Sequence, residues 1–389
     1  MKAKFPNDAL QSAKLLECLA ALRDEMLASL RQLVELESPS GNKPVLDRLG
    51  QHLAAEFAKI GGGIRFHQQE EASAHLQVDF AGPGKPVLIL GHMDTVWDLG
   101  TLATMPFRVA KGRAYGPGSF DMKAGIVQAI YAIRALQEHH GRLPRAISLL
   151  LVSDEEIGSR SSRPITEALA KKSAAVLVLE PAQGPKGALK TARKGVGAYQ
   201  VRVHGQEAHS GLDSDKGASA VLELARQLLV IEKFADRKRG MTVNPGIAHG
   251  GTRTNVIAGE AAAEVDVRVS RLKDIAYLDK KFRSLRPFNT RCKVEVSGGI
   301  GRPPLERGKQ VVELFTLARR LARELGWKLE EASVGGGSDG NFTAALGIPT
   351  LDGLGAVGEG AHARHESVVI AEMPRRAALL ARLIETIPG

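Results

Sequence analysis

Three short apolar runs mark the first half of the chain, and each breaks off in polar residues. VLILGHMDTV at 87–96 reaches His92 and Asp94, AISLLLVSDEEIGS at 146–159 reaches Asp154, Glu155 and Glu156, and AAVLVLEP at 174–181 reaches Glu180. Unbroken Val, Leu and Ile without alternation is the pattern of strands buried on both faces, as in a parallel sheet, and open α/β sheets gather ligands at the carboxyl ends of such strands. Between the first two runs, the Gly- and Pro-containing loop YGPGSFDMKAG at 115–125 leads into an amphipathic helix with apolar Ile126, Ala129, Ile130, Ile133 and Leu136 at helical spacing. Asp121 stands at its mouth. Strands alternating with helices up to about residue 193 predict a sheet covered on both faces.

The order then changes. AYQVRVHG at 198–205 reads as a strand, 216–233 as a helix, 241–269 as strand material, 272–285 as a helix and CKVEVSGG at 292–299 as a strand, the pattern of a two-layer α+β insert. A helix beginning near Lys309 returns the chain to its first part. The expected division is residues 1–193 and 307–389 in one domain and 194–306 in the other. An insert whose two ends lie together would serve as a lid with hinge motion. Gly335–Gly337 is too short for a linker, and no internal repeat or low-complexity tract interrupts the pattern.

The polar residues at the strand ends are of metal-binding type. His92 and Asp94 are two apart and share a face of an extended backbone, where a carboxylate can hold one ring nitrogen's proton and aim the other at a metal. A salt-bridged strand end is the plain alternative, as a helix N-cap is for Asp121. Three adjacent carboxylates at the end of a core strand need a cation to stay ionised without cost, though such a run can also be a solvated loop. Glu155 and Glu156 would diverge on a regular strand, so a common duty requires a turn, for which Gly158 and Ser159 are suited.

Taken together, GHMDTV, GPGSFDMKAG, SDEEIGS, VLEP, HGQEAHSG at 204–211, GGTRTNVIAGEAAAEVDVR at 250–268, GGGSDG at 335–340 and GAHARHE at 360–366 resemble the M20 family of dinuclear zinc exopeptidases and deacylases, most closely its glutamate carboxypeptidase (carboxypeptidase G2-like) branch. The motifs run in the family's order over nearly the whole chain. The resemblance implies an α/β catalytic domain with a mixed, mostly parallel sheet, plus an inserted two-layer α+β, ferredoxin-like lid through which the chain would form a homodimer. It implies His92 and Glu180 on one metal, Glu156 and His362 on a second, Asp121 bridging both, Asp94 beside His92, and Glu155 as general base. Family spacing selects His362 over His365. Two divalent cations carry four positive charges; Asp121, Glu156 and Glu180 return three, and a hydroxide completes neutrality. Ligands without thiolate suit Zn2+ and would accept Co2+ or Mn2+.

The activity so implied is hydrolysis of the amide bond to a C-terminal amino acid, glutamate first, by a metal-activated water whose proton passes to Glu155 and on to the leaving amine. His209, reaching in from a partner subunit, would donate to the oxyanion. Arg268, Asn255 and the amides around Gly336 would hold the substrate carboxylate. Each has another reading: Arg268 could pair with a strand neighbour, Asn255 could cap a turn, and Ser338 or Asp339 could cap the helix NFTAALG. The basic group Lys190, Arg193 and Lys194 reads as a solvated loop outside the site. An N-acyl amino acid deacylase of the acetylornithine or succinyl-diaminopimelate type would use the same chemistry, and a catalytically silent binding protein is the rival from another class; the presence of Glu155 argues against the latter.

Composition narrows the picture further. At 389 residues and 43% hydrophobic content the chain can bury one large core and a smaller one. No stretch has the apolar length to span a bilayer, and acidic residues inside the helical pattern of the first 26 residues speak against a leader. Cys18 and Cys292 fall in different predicted domains, so no disulfide framework is expected and a reducing cytoplasm is the default. The net charge of +10 raises nucleic-acid binding, but Lys and Arg are dispersed through helices such as LARRLARELGWK at 317–328 and aromatics are only 4%, leaving few stacking platforms.

Overall fold

The computed structural model describes residues 8–70 and 72–388; the first seven residues of the N-terminal helical pattern lie outside the described residues. The chain divides into two compact units, one built from the chain up to Ala192 with Arg307–Ser333 and the chain from Ser338, the other from Arg193–Glu306 and Val334–Gly337. Val334–Gly337, expected with the first domain, goes with the second. The cause is local: the buried Arg193 guanidinium donates to the carbonyls of Gly336 and Gly337 at 3.3 and 3.0 Å, and Gly337 lies against Arg302 and Val196.

In the first unit a six-stranded sheet runs in the order Gly63–His67, His75–Phe80, Ile147–Val152, Val87–His92, Ala175–Val178, Thr350–Leu351. The first two pairings are antiparallel and the remaining three parallel. Every residue of the three apolar runs is buried along its strand, which explains their lack of alternation. Register then sets the chemistry. His92 pairs with Val152 and Leu90 with Val178, so Asp94, Asp154–Glu156 and Glu180 all emerge from the same edge of the sheet.

The helix Ala124–His140 is not amphipathic in the way its spacing predicts: residues 124–133 are all buried. It is enclosed by the helices Asp8–Ala21, Arg23–Glu35 and Glu372–Thr386, so the small residues Ala124, Ala129 and Ala132 face neighbours rather than water. Gly141, at φ 69°, closes it by returning its amide to Gln137 O.

The second unit is an antiparallel sheet in the order Thr242–Gly250, Glu260–Val269, Gly195–His204, Lys293–Arg302, with helices Ala220–Ile231 and Lys273–Arg283. Tyr199, Val201 and Val203 alternate into a separate core with Leu224, Leu278 and Phe282, and the Tyr199 ring stacks on Phe282 at 3.9 Å. The architecture is thus a mixed α/β domain with an inserted two-layer α+β unit. Both cysteines are free. Among the described residues no helix is long and apolar enough to cross a membrane.

Candidate metal centre

His92 ends the central strand with its ring buried. Its Nδ1 lies 2.9 Å from the main-chain carbonyl of Asp94 and 3.6 Å from that residue's carboxylate. The carbonyl is the nearer acceptor, so backbone, not the expected carboxylate, fixes the tautomer and leaves Nε2 directed into the site. That nitrogen stands 3.2 Å from Asp121 Oδ1 and 3.5 Å from Glu180.

The Asp94 carboxylate works elsewhere. It accepts the Ser40 hydroxyl at 2.8 Å and the amides of Glu155 and Glu156 at 3.2 Å each. Those amides open the turn after Ile147–Val152, closed by Gly158 N to Glu155 O at 2.9 Å with Gly158 and Ser159 at φ 100° and 57°. The bend lets neighbouring Glu155 and Glu156 leave the strand axis together. Burial pushes the Asp94 carboxyl up to about 6, with the charge of His92 opposing.

Asp121 is not a helix cap. It sits in the irregular turn Ser119–Lys123 with extended backbone (φ −114°, ψ 92°), before the helix at Ala124. Its two oxygens divide: Oδ1 faces His92, and Oδ2 lies 3.6 Å from His362 Nε2, which is 3.3 Å from Glu156. Two groups of possible ligand atoms result, His92–Asp121–Glu180 and Asp121–Glu156–His362, each within 4.8 Å and sharing Asp121. His362 has φ +61° and a half-exposed ring; His365, three residues on, is exposed and belongs to neither group.

The donor set fits divalent cations. Burial opposes a charge on His92, yet hydrogen bonds to Asp121 and Glu180 hold its pKa well above the ordinary value. The hydrogen bond to Glu156 lifts His362 to about 9 against burial, with Asp121 adding to it. Three carboxylates with two imidazoles and no thiolate match zinc, cobalt or manganese.

Two contributors escaped the sequence reading. Ser40 lies 54 residues from the carboxylate it binds, and nothing local marks it. Glu366, fully buried, accepts the amides of Gly118, Phe120 and Asp121 and the Trp97 indole N–H at 2.8–3.0 Å. Its spacing after His362 was its only signal.

The remaining candidates lie in the second unit. His209 pairs with Val256, and its Nδ1 accepts the amides of Gly211 and Leu212 at 3.2 Å, which puts the neutral ring's proton on Nε2. Arg268 is engaged by its strand neighbour Asp266, Nη2 to Oδ2 at 2.9 Å and Nε to Oδ1 at 3.0 Å. Asn255 gives its carbonyl to Ser210 N at 3.0 Å, and the Gly336 carbonyl takes the Arg193 guanidinium. In the first unit Ser338 Oγ accepts Gly340 N at 3.2 Å, but Asp339 holds the N-cap position of the helix Gly340–Ala345 and no side chain makes the cap hydrogen bond expected of Ser338 or Asp339.

Two imidazoles and three carboxylates, gathered from strand ends and two loops, make a candidate site for divalent cations. Comparison with known proteins narrows this. The profile of Peptidase family M20/M25/M40 matches residues 88–386. Carboxypeptidase G2 of Pseudomonas sp. (strain RS-16) is 32% identical over 370 residues, covering 92% of this chain and 88% of that protein. Acetylornithine deacetylase of Myxococcus xanthus is 30% identical over 274 residues, 65% of this chain and 68% of that one. Among solved structures, aminopeptidase PepT from Bacillus cereus ATCC 10987 shares the fold with a TM-score of 0.80 at 22% identity, covering 94% of this chain and 98% of that one. The chain belongs to peptidase family M20/M25/M40 and is a hydrolase of it.

Proposed function

We propose that the protein is a dinuclear metallo-exopeptidase that releases a C-terminal amino acid, glutamate foremost. The division of the Asp121 carboxylate between His92 and His362 carries this reading, because a bridging carboxylate is what two adjacent cations require. His92 and Glu180 would hold one ion, Glu156 and His362 the other, with zinc the natural occupant. When bound, such a pair acidifies a water and polarises an amide carbonyl.

The residues then divide the work. Glu155, on the turn held by Asp94, takes the water's proton and returns it to the leaving amine. Asp94 fixes the His92 ring through its carbonyl and the Glu155–Glu156 turn through its carboxylate. His209 Nε2–H serves as a donor to the oxyanion, supplied by a second subunit through the inserted unit. Asn255, the Gly336 amide and Arg268 receive the substrate carboxylate; Arg268 must share its fork with Asp266 to do so. The motif resemblance to the glutamate carboxypeptidase branch supports glutamate as leaving residue, the likeness to carboxypeptidase G2 supports a carboxypeptidase, and the likeness to an acetylornithine deacetylase supports N-acyl amino acids as the second substrate class.

A screen of acyl glutamates, dipeptides and N-acetyl amino acids with Zn2+ or Co2+ supplied tests the reading. Glutamate release is expected, and no release from any of them overturns the substrate class. Glu155→Gln should lower kcat by about 10²–10⁴-fold while bound metal, measured by atomic emission, stays at the parent level. Undiminished turnover removes Glu155 from the mechanism.

A further inference from the structure

Glu366 stands one step behind the proposed metal centre and joins its two most distant parts. The residue closes the segment that carries His362: its amide returns to Ala363 O at 2.8 Å, and Ala363 N to Gly360 O at 2.8 Å. Its side chain reaches the other way. Oε1 accepts Phe120 N at 2.9 Å and Asp121 N at 3.0 Å; Oε2 accepts Gly118 N at 2.9 Å and Trp97 Nε1 at 2.8 Å. Asp121 and His362 are 241 positions apart by their numbers, and this one carboxylate pins the backbone of the first to the turn that presents the second.

All four partners are N–H donors, two on each oxygen. Only a group that accepts at both ends satisfies them, and in this closed space that is a carboxylate. Glutamine has the same shape, but either orientation of its amide sets an NH2 against two N–H groups and leaves them without acceptors.

We propose that Glu366 is a positioning residue that sets the affinity of the centre for divalent cations by fixing Asp121 and His362 against each other. This rests on the metal reading above. Asp121 would serve both cations and His362 one, so loosening the tie weakens metal uptake; it also reaches the fold, since Phe120, Met122 and Val368, beside the tied backbone, belong to the main apolar core of the unit.

The test is a Co2+ titration of the chelator-stripped full-length protein, followed by visible absorption, with the melting temperature of each metal-free variant taken alongside. Metal-free E366Q is expected to melt below the parent, because two buried N–H groups lose their acceptor, and, still folded at the titration temperature, to bind Co2+ about 10–100-fold more weakly. Glu366→Asp, which keeps an acceptor at both ends, recovers part of that loss. Trp97→Phe removes one donor, leaves three amides in place, and weakens binding less than E366Q. A purely structural cap would lower the metal-free melting temperature just as much and leave the affinity of the folded protein alone. Folded E366Q within about twofold of the parent's affinity, or E366D no better than E366Q, overturns the proposal. If E366Q does not fold, unchanged affinity in both E366D and W97F overturns it. A parent protein that takes up no Co2+ defeats the metal reading instead.

Discussion

At the scale of single residues, the proposed centre is held by polar contacts of side chains that are themselves buried. Asp94 has no exposed surface, and three donors converge on its carboxylate: the Ser40 hydroxyl and the amides of Glu155 and Glu156. A hydrogen bond to a buried charge contributes about 1.5–3 kcal/mol, so Ser40→Ala should lose stability of that order in chemical denaturation of the metal-free protein. Its kcat should fall as well, because the turn bearing Glu155 is released on one side. Wild-type stability and kcat in the variant would leave Ser40 without a role. The residue scale is also where the sequence was least legible. His92, Asp121, Glu156, Glu180 and His362 could be picked out because strand ends and family motifs flag them. Ser40 could not, and the motif that contains Glu366 marked its position but not its work, since both roles are defined by which distant amide or carboxylate they meet.

Elements repeat the lesson with a different cause. The three apolar strands were readable because parallel burial leaves an unbroken hydrophobic run, and register alone then brings their polar ends together. The enclosure of Ala124–His140 was not readable, since helical spacing says which face is apolar but not how many neighbours cover the others. Gly125 shows the consequence: a Cβ there would meet Leu179 O at 2.4 Å, next to Glu180. Gly125→Ala should therefore cost about 1–3 kcal/mol as an overpacked site and also weaken Co2+ binding, because the helix can only yield by moving away from that strand end. A loss of stability with intact affinity would show that the strand end does not follow the helix. His75, on the strand His75–Phe80, is fully buried, and its Nδ1 accepts Ser153 N at 3.1 Å while Nε2 meets Ser161 Oγ, which in turn donates to Asp154. Burial lowers its pKa, opposed by Asp154 and assisted by His67. A histidine whose folded pKa is depressed contributes stability that is present above its unfolded value near 6.5 and is lost as pH falls through the folded one. This contribution declines below about pH 6.5, against the carboxyls of Asp94 and Glu366, which burial raises to about 6 and which favour the folded state on acidification. His75→Gln should therefore keep more of its stability at about pH 5 relative to about pH 7 than the parent does, and an unchanged difference would leave His75 without a part in the profile.

For the molecule as a whole, the arrangement separates duties between two bodies. His92, Asp121, Glu156, Glu180 and His362 all belong to the unit with the mixed sheet, whereas His209, Asn255, Arg268 and Gly336 all belong to the antiparallel one, which has its own core of Tyr199, Val201, Val265, Leu278 and Phe282. Cations that bind only the folded first unit must stabilise that unit by mass action and leave the second as it was. At a free metal concentration of 100 times Kd the linkage is about 2.7 kcal/mol, which for a body of this size amounts to roughly 5–10 °C. Calorimetry of the full chain should therefore show two transitions, one falling by that amount when a chelator is added and one that stays, and the falling one should be restored by Zn2+ or Co2+ but not by Mg2+, which prefers an octahedral shell of oxygen ligands and water to imidazole. Two transitions that shift equally would mean that the metal binds, or couples to, both bodies, and a chelator without effect on either would remove cations from the folded state. The same experiment on His209→Ala should reproduce the parent's chelator response in full while turnover falls, because that histidine belongs to the unit that holds none of the five residues of the centre.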